Sequence, residues 1–316
     1  MSGRGDADLL VAVRSALLDA LQALREHADA VVVVGAQAIY LHTGAAPVAL
    51  AETTKDCDLA LDARALPQEP LLEAAMSAAG FHLDTRARQP GAWLNPKGIP
   101  VDLMVPEALA GGSSRRAAKI PPHSKSAARR AVGLEAAVVD HAAMEIHGIA
   151  PGDGRISVAN VAGPAALLVA KLHKVGERQE TPGRLVDKDA HDIYRLLVAV
   201  PTEQFAAKLQ TLRDDDLAGP VTDRALEFLS GLFAAGPDAT GSLMAGRSEE
   251  GIGDPAVVSA AVSALAEDVL ASNRLTADAA ASPERSSATT ALGPGGALPG
   301  VPDTRLPGGD RRPQRH

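Results

Sequence analysis

Hydrophobic positions recur at two periods along this chain. Residues 7–27 place Leu10, Val13, Leu17, Leu21 and Leu24 three or four apart, the spacing of an amphipathic helix, with Asp6 or Asp8 as its N-cap. Val31 to Val34 is a β-branched run that stops at Gly35, which predicts a buried strand, a turn and a helix starting at AQAIYLH. Cys57 to Leu61 predicts a second strand, and 67–79 a helix stopped by Gly80. Phe81 to Arg88, Ala92 to Leu94 and Ile99 to Val105 read as short strands, the last ended by Pro106. Two more strands are expected at Val138 to Ile146 and Arg155 to Ala159. Helical spacing then takes over at 165–178, 187–200, 202–234 and 255–272, with a glycine-rich loop over 236–254.

This order predicts an α+β chain. A small mixed sheet with flanking helices occupies 1–106, a basic loop with additional strands 107–160, and a helical domain 161–272. The remainder, 273–316, is rich in Pro and Gly and poor in large apolar residues, the composition of a disordered tail. Hydrophobic content is 46% but aromatics only 2%, so Ala, Val and Leu must fill the core. The single cysteine, Cys57, excludes an internal disulfide framework and fits a cytoplasmic chain. No signal-peptide apolar region and no run of 18 apolar residues is visible, so no membrane span is expected.

The chemistry concentrates near the first two strands. A strand–glycine–helix unit offers free backbone N–H groups and a positive dipole end to a phosphate, from Gly35 and Ala36 onward. On a strand, Asp56 and Asp58 point the same way, and two adjacent carboxylates repel unless a cation sits between them. They are expected to hold Mg²⁺ against a nucleoside triphosphate (NTP). The D-x-D spacing recurs at Asp6/Asp8, Asp187/Asp189 and Asp214/Asp216, but there it falls in predicted helices, where residues two apart diverge. Asp102, flanked by Val101 and Leu103, is the third candidate, as a metal ligand or as general base for an attacking hydroxyl. A net charge of −8 argues against general nucleic-acid coating. Yet 108–134 carries Arg115, Arg116, Lys119, Lys125, Arg129 and Arg130 with no Asp or Glu, a strip suited to RNA phosphates or a triphosphate, or to a solvated loop. Lys171, Lys174 and Arg178 share one helical face.

These features together resemble the minimal nucleotidyltransferases of the DNA-polymerase-beta superfamily. Lys171-Leu172-His173-Lys174, Arg178 and Lys188-Asp189-Ala190-His191-Asp192-Ile193 resemble the signature of the abortive-infection nucleotidyltransferase toxins, the AbiEii-like group. The resemblance spans about residues 25–200. It implies transfer of a nucleotide from an NTP, in some members onto the acceptor end of tRNA, and a cognate antitoxin as partner. It also implies that Lys171 and Asp189 face the cleft, with Arg178 and Lys188 on the phosphate side and Thr54 in a T-x-D-x-D stretch. The chain departs from the pattern at Gly35-Ala36, where a second Gly or a Ser is usual, in a longer interval before Asp56, and at Glu52, where an Arg is common. Two other readings stay open: a small hydroxyl compound as acceptor, and a non-catalytic nucleotide- or protein-binding module on the same scaffold. The helical charges could equally be salt bridges between antiparallel helices.

Overall fold

The computed structural model describes residues 3–44, 48, 55–87, 89–112, 114–179, 181, 183 and 185–280. Thr54 and Glu52 lie outside the described residues, as does the part of the expected tail from 281 onward.

A mixed α/β architecture is observed. Helix α1 (Gly3–Ala23) leads into strand β1 (Val31–Val34) and helix α2 (Gly35–Thr43). Strand β2 (Cys57–Leu61), helix α3 (Leu72–Ala78) and strands β3 (His82–Leu83), β4 (Ala92–Leu94) and β5 (Pro100–Pro106) follow. Strands β6 (Arg129–Ala131), β7 (His141–His147) and β8 (Ile156–Ala162) complete the sheet. Six α-helices follow among the described residues: α4 (Pro164–Gly176), α5 (Asp187–Ala199), α6 (Thr202–Arg213), α7 (Gly219–Leu229), α8 (Thr240–Arg247) and α9 (Pro255–Ala280).

The sheet runs β3-β4-β5-β2-β1-β8-β7, with β6 paired to the far end of β5. β1 lies antiparallel to β2 and parallel to β8, while β2 lies parallel to β5. The centre is apolar on both faces: Val33, Leu59 and Leu103 are buried on one, and Val32 and Ala60 on the other. Cys57 is buried against α1, where its Sγ donates to the Val13 carbonyl at 3.1 Å. Alternation along β2 therefore turns Asp58 away from α1, toward the side covered by α2 and α4. Trp93 is buried on β4 and donates its indole N–H to the Ala127 carbonyl at 3.0 Å.

Several expectations are corrected. Asp6 and Asp8 fall inside α1, which starts earlier than its hydrophobic stripe. The basic segment is not wholly a loop, because β6 draws Arg129 and Arg130 into the sheet. Helix α8 stands where a glycine-rich loop was expected, and α9 continues to Ala280, beyond the expected start of the tail. By length and composition alone Pro255–Thr276 of α9 would pass for a membrane-crossing helix, as the core helix of a folded chain also can. Yet Val258, Val262, Ala266 and Val269 are buried on one side of it, and α9 packs on α6 and α8. One connected hydrophobic cluster runs from Val13 in α1 through the sheet to Val269 in α9. The sheet and the later helices thus share a core.

Candidate functional site

Gly35 stands at the centre of the site. Its φ is +66°, a left-handed conformation that a residue with a Cβ adopts only under strain. The space is as restrictive as the dihedral: a Cβ there would lie 2.1 Å from Asp58 Oδ2. The Asp58 carboxylate therefore rests directly on the β1–α2 turn. Gly35→Ala is expected to cost about 1–3 kcal/mol and to push Asp58 aside. Thermal melting and any cation affinity of the variant check both halves of that expectation.

Asp102 sits beside Asp58. The two are register partners on neighbouring parallel strands, so their side chains leave the same face of the sheet. Asp58 is partly buried, and its carboxyl is pushed up to about 6. Burial is the main cause, the negative charges of Asp56 and Asp102 add to it, and Lys174 and Arg129 oppose it. Asp102 is buried, and burial likewise raises its carboxyl, against the pull of Arg129.

The three aspartates do not form a ready cage. Among the described residues no group of three His, Cys, Asp or Glu side chains is arranged to hold a metal ion. Asp102 is also paired: its Oδ2 accepts from Arg129 Nη2 at 2.9 Å and Nε at 3.2 Å. A guanidinium at contact distance neutralises that carboxylate. Arg129 was named in the sequence only as one member of the basic strip.

Above these strands lies a cavity of about 430 Å³, lined by Gly35 and Asp58 on one side and by α4 on the other. Six cationic side chains line it, Arg115, Arg129, Arg130, Lys171, Lys174 and Arg178, against three anionic ones, Asp58, Glu107 and Glu177. The lining is thus richer in cations than in anions, in a chain of net charge −8. Apolar walls come from Met104, Val132, Leu134 and Leu167.

The helical signature is placed behind this cavity. Lys171 is buried, and its ammonium donates to Asp189 Oδ1 at 2.7 Å and Asp192 Oδ2 at 2.6 Å. Burial alone would lower the Lys171 pKa, but the two carboxylates raise it well above the usual lysine range. Asp189 also meets Lys174 at 3.0 Å and Arg178 at 3.2 Å, and Lys188 reaches Asp192 at 2.9 Å. Burial works against ionisation of both carboxyls, yet these cations hold Asp189 and Asp192 below the ordinary carboxylate range.

Two placements differ from the sequence expectation. Asp189 is not among the cavity-lining residues; it is buried with both oxygens engaged, so it positions Lys174 and Arg178 instead of facing the cleft. Lys188 does not line the cavity either, and lies over the Tyr40 ring, 5.6 Å from its centroid. Lys171 and Arg178 do line it, as does Gly35, whereas Ala36 is buried. Lys174, Arg115, Arg130 and Glu177 were not singled out as site residues. Lys174 was legible as the middle member of the Lys171–Arg178 face. Of the other D-x-D residues, Asp187 on α5 pairs with Arg247 on α8, and Asp214 accepts from Gln210 one turn away. His173 and His191 are buried.

Comparison with protein-family models, with curated proteins and with solved structures returns no match for the chain.

Proposed function

We propose that this chain is a magnesium-dependent nucleotidyltransferase, moving a nucleoside monophosphate from an NTP to an acceptor hydroxyl on a scaffold like that of the AbiEii-like toxins. The observation that carries the reading is the Asp58–Asp102 pair, backed onto the Gly35 turn beneath a cavity with six cationic side chains. Fold-level likeness would carry little by itself, since one scaffold hosts many activities.

The donor set fits a hard divalent cation. Asp58 is crowded by the charge of Asp56 and Asp102, and an oxygen-seeking ion relieves that repulsion. Asp56 and Asp58 would hold it, and Asp102 would join them on release from Arg129. When bound, Mg²⁺ neutralises phosphate charge and stabilises the pyrophosphate leaving group.

The protein's own groups do the rest. Gly35 lets a phosphate approach the start of α2, where backbone N–H groups are free to donate. Lys174, on α4, and Arg178, just past its end, would face the triphosphate, held in place by Asp189. The acceptor oxygen bonds to the α-phosphorus and the bond to the bridging oxygen breaks, so pyrophosphate departs with that electron pair. Where Asp102 does not ligate the cation, it would instead take the hydroxyl proton, its carboxyl being raised by burial. A polyanionic acceptor such as an RNA end suits the basic segment better than a cationic small molecule does. A toxin role, with an antitoxin partner and tRNA as acceptor, is the version of this activity that the sequence resemblance favours.

The test is incubation with each α-labelled NTP, Mg²⁺ and total tRNA. Labelled RNA that vanishes in Asp58→Asn supports the reading. Absence of any labelled product with every NTP, RNA and small hydroxyl acceptor sinks it. The Asp102–Arg129 ion pair favours one rival, a polyanion-binding module without turnover. Calorimetric NTP binding with no product after prolonged incubation selects that rival.

A further inference from the structure

Arg129 touches the candidate metal site and the candidate phosphate site at once. Its backbone is tied through β6 to β5, the strand that carries Asp102. Its side chain is 25% exposed and lines the cavity, while its guanidinium grips Asp102 Oδ2 through two nitrogens. A guanidinium matches phosphate oxygens as well as it matches a carboxylate, and a polyphosphate offers several oxygens and more charge. Its Nε and Nη2 edge fits one acceptor group at a time, so a polyphosphate that takes that edge displaces Asp102.

We propose that Arg129 is a positioning residue with two mutually exclusive partners: Asp102 in the empty site, and the polyphosphate of the substrate once it is bound. The inference rests on the nucleotidyltransferase reading. While Arg129 holds Asp102, the carboxylate cluster lacks its third negative charge and attracts a divalent cation weakly. Arrival of the polyphosphate draws the guanidinium away, and Asp102 then joins Asp56 and Asp58. Polyphosphate and cation therefore bind with positive coupling, and a cation alone does not assemble the site. Arg130 supplies the contrast: it lines the same cavity but donates to the Gly111 and Gly112 carbonyls, not to Asp102.

The experiment measures Mn²⁺ by electron paramagnetic resonance on the full chain without polyphosphate, and tripolyphosphate by calorimetry without metal. Arg129→Gln is expected to bind Mn²⁺ at least about tenfold more tightly than wild type, and tripolyphosphate about tenfold more weakly, since both changes remove one contact-distance charge. Arg130→Gln is expected to weaken tripolyphosphate similarly and to leave Mn²⁺ within about threefold. Asp102→Asn frees the guanidinium without deleting it, so it should bind tripolyphosphate more tightly than wild type, which keeps the test open if Arg129→Gln does not fold. Equal Mn²⁺ gains in both arginine variants, or unchanged tripolyphosphate binding in Asp102→Asn, overturn the exchange. If Asp58→Asn abolishes Mn²⁺ binding while Arg129→Gln matches wild type, the exchange fails and the metal site stands. If no form of the chain binds Mn²⁺, both fall.

Discussion

At pH 7 and without metal, Asp58→Asn is expected to melt above wild type, and with Mg²⁺ present it is expected to lose nucleotide transfer by at least about 100-fold. The stability half follows from the position of the carboxyl, pushed from 3.8 up to about 6 by burial and by Asp56 and Asp102. The fold favours the neutral form, so ionisation is disfavoured by on the order of 1–3 kcal/mol above pH 6. Below about pH 4 the group is neutral in both folded and unfolded chains, and the advantage of Asn vanishes there. Melting curves from pH 4 to 8 in chelator should show a gap that opens as pH rises through 6, and added Mg²⁺ should narrow it by stabilising wild type only. A gap of the same size at pH 4 and pH 7 would show that charge is not its source. The activity half rests on the proposed reaction. An amide cannot supply the anionic oxygen that a hard cation and a triphosphate require opposite them.

Replacing Lys171 by Met should have the largest effect on stability. The substitution keeps bulk but leaves Asp189 and Asp192 buried without the ammonium that joins them. Breaking one partner of a buried ion pair costs about 3–5 kcal/mol. For a chain of this size that is on the order of 10 °C in melting temperature. Both carboxyls are depressed in the fold, so their contribution is present above about pH 4 and fades as pH falls through their lowered values. Lys171 adds stability throughout the neutral range, because its raised value lies far above it. The deficit of Lys171→Met is accordingly full at pH 7 and shrinks in acid. A melting point within about 2 °C of wild type at pH 7 would reduce the network to an ordinary surface arrangement of charge.

Much of the sheet centre was legible because its residues carry only one reading. Four valines followed by Gly35 leave little besides a buried strand and a turn, and the alternation around Cys57 fixes which way Asp58 faces. That Asp102 stands beside Asp58 depended on which strands pair, which no local pattern encodes. Arg129 was hidden for a related reason. Its strand is three residues long, lies in a segment without apolar alternation, and gains its place by pairing with β5. Helix α8 was missed because glycine was read as a breaker. Here Gly241 and Gly246 allow close packing: a Cβ on the first would lie 2.6 Å from Phe233, and on the second 2.3 Å from Ser259 Oγ. The Lys171–Asp189 motif was visible, but the inward burial of Asp189 depends on how α4 and α5 meet.

The unbroken apolar cluster linking sheet to helices bears on any attempt at dissection. Cutting near residue 160 would strip the cover from the face that carries Asp58 and remove the α4 cations that balance it. A fragment ending there would expose that face to water and to its own kind, and would be recovered as aggregate instead of as a minimal catalytic unit.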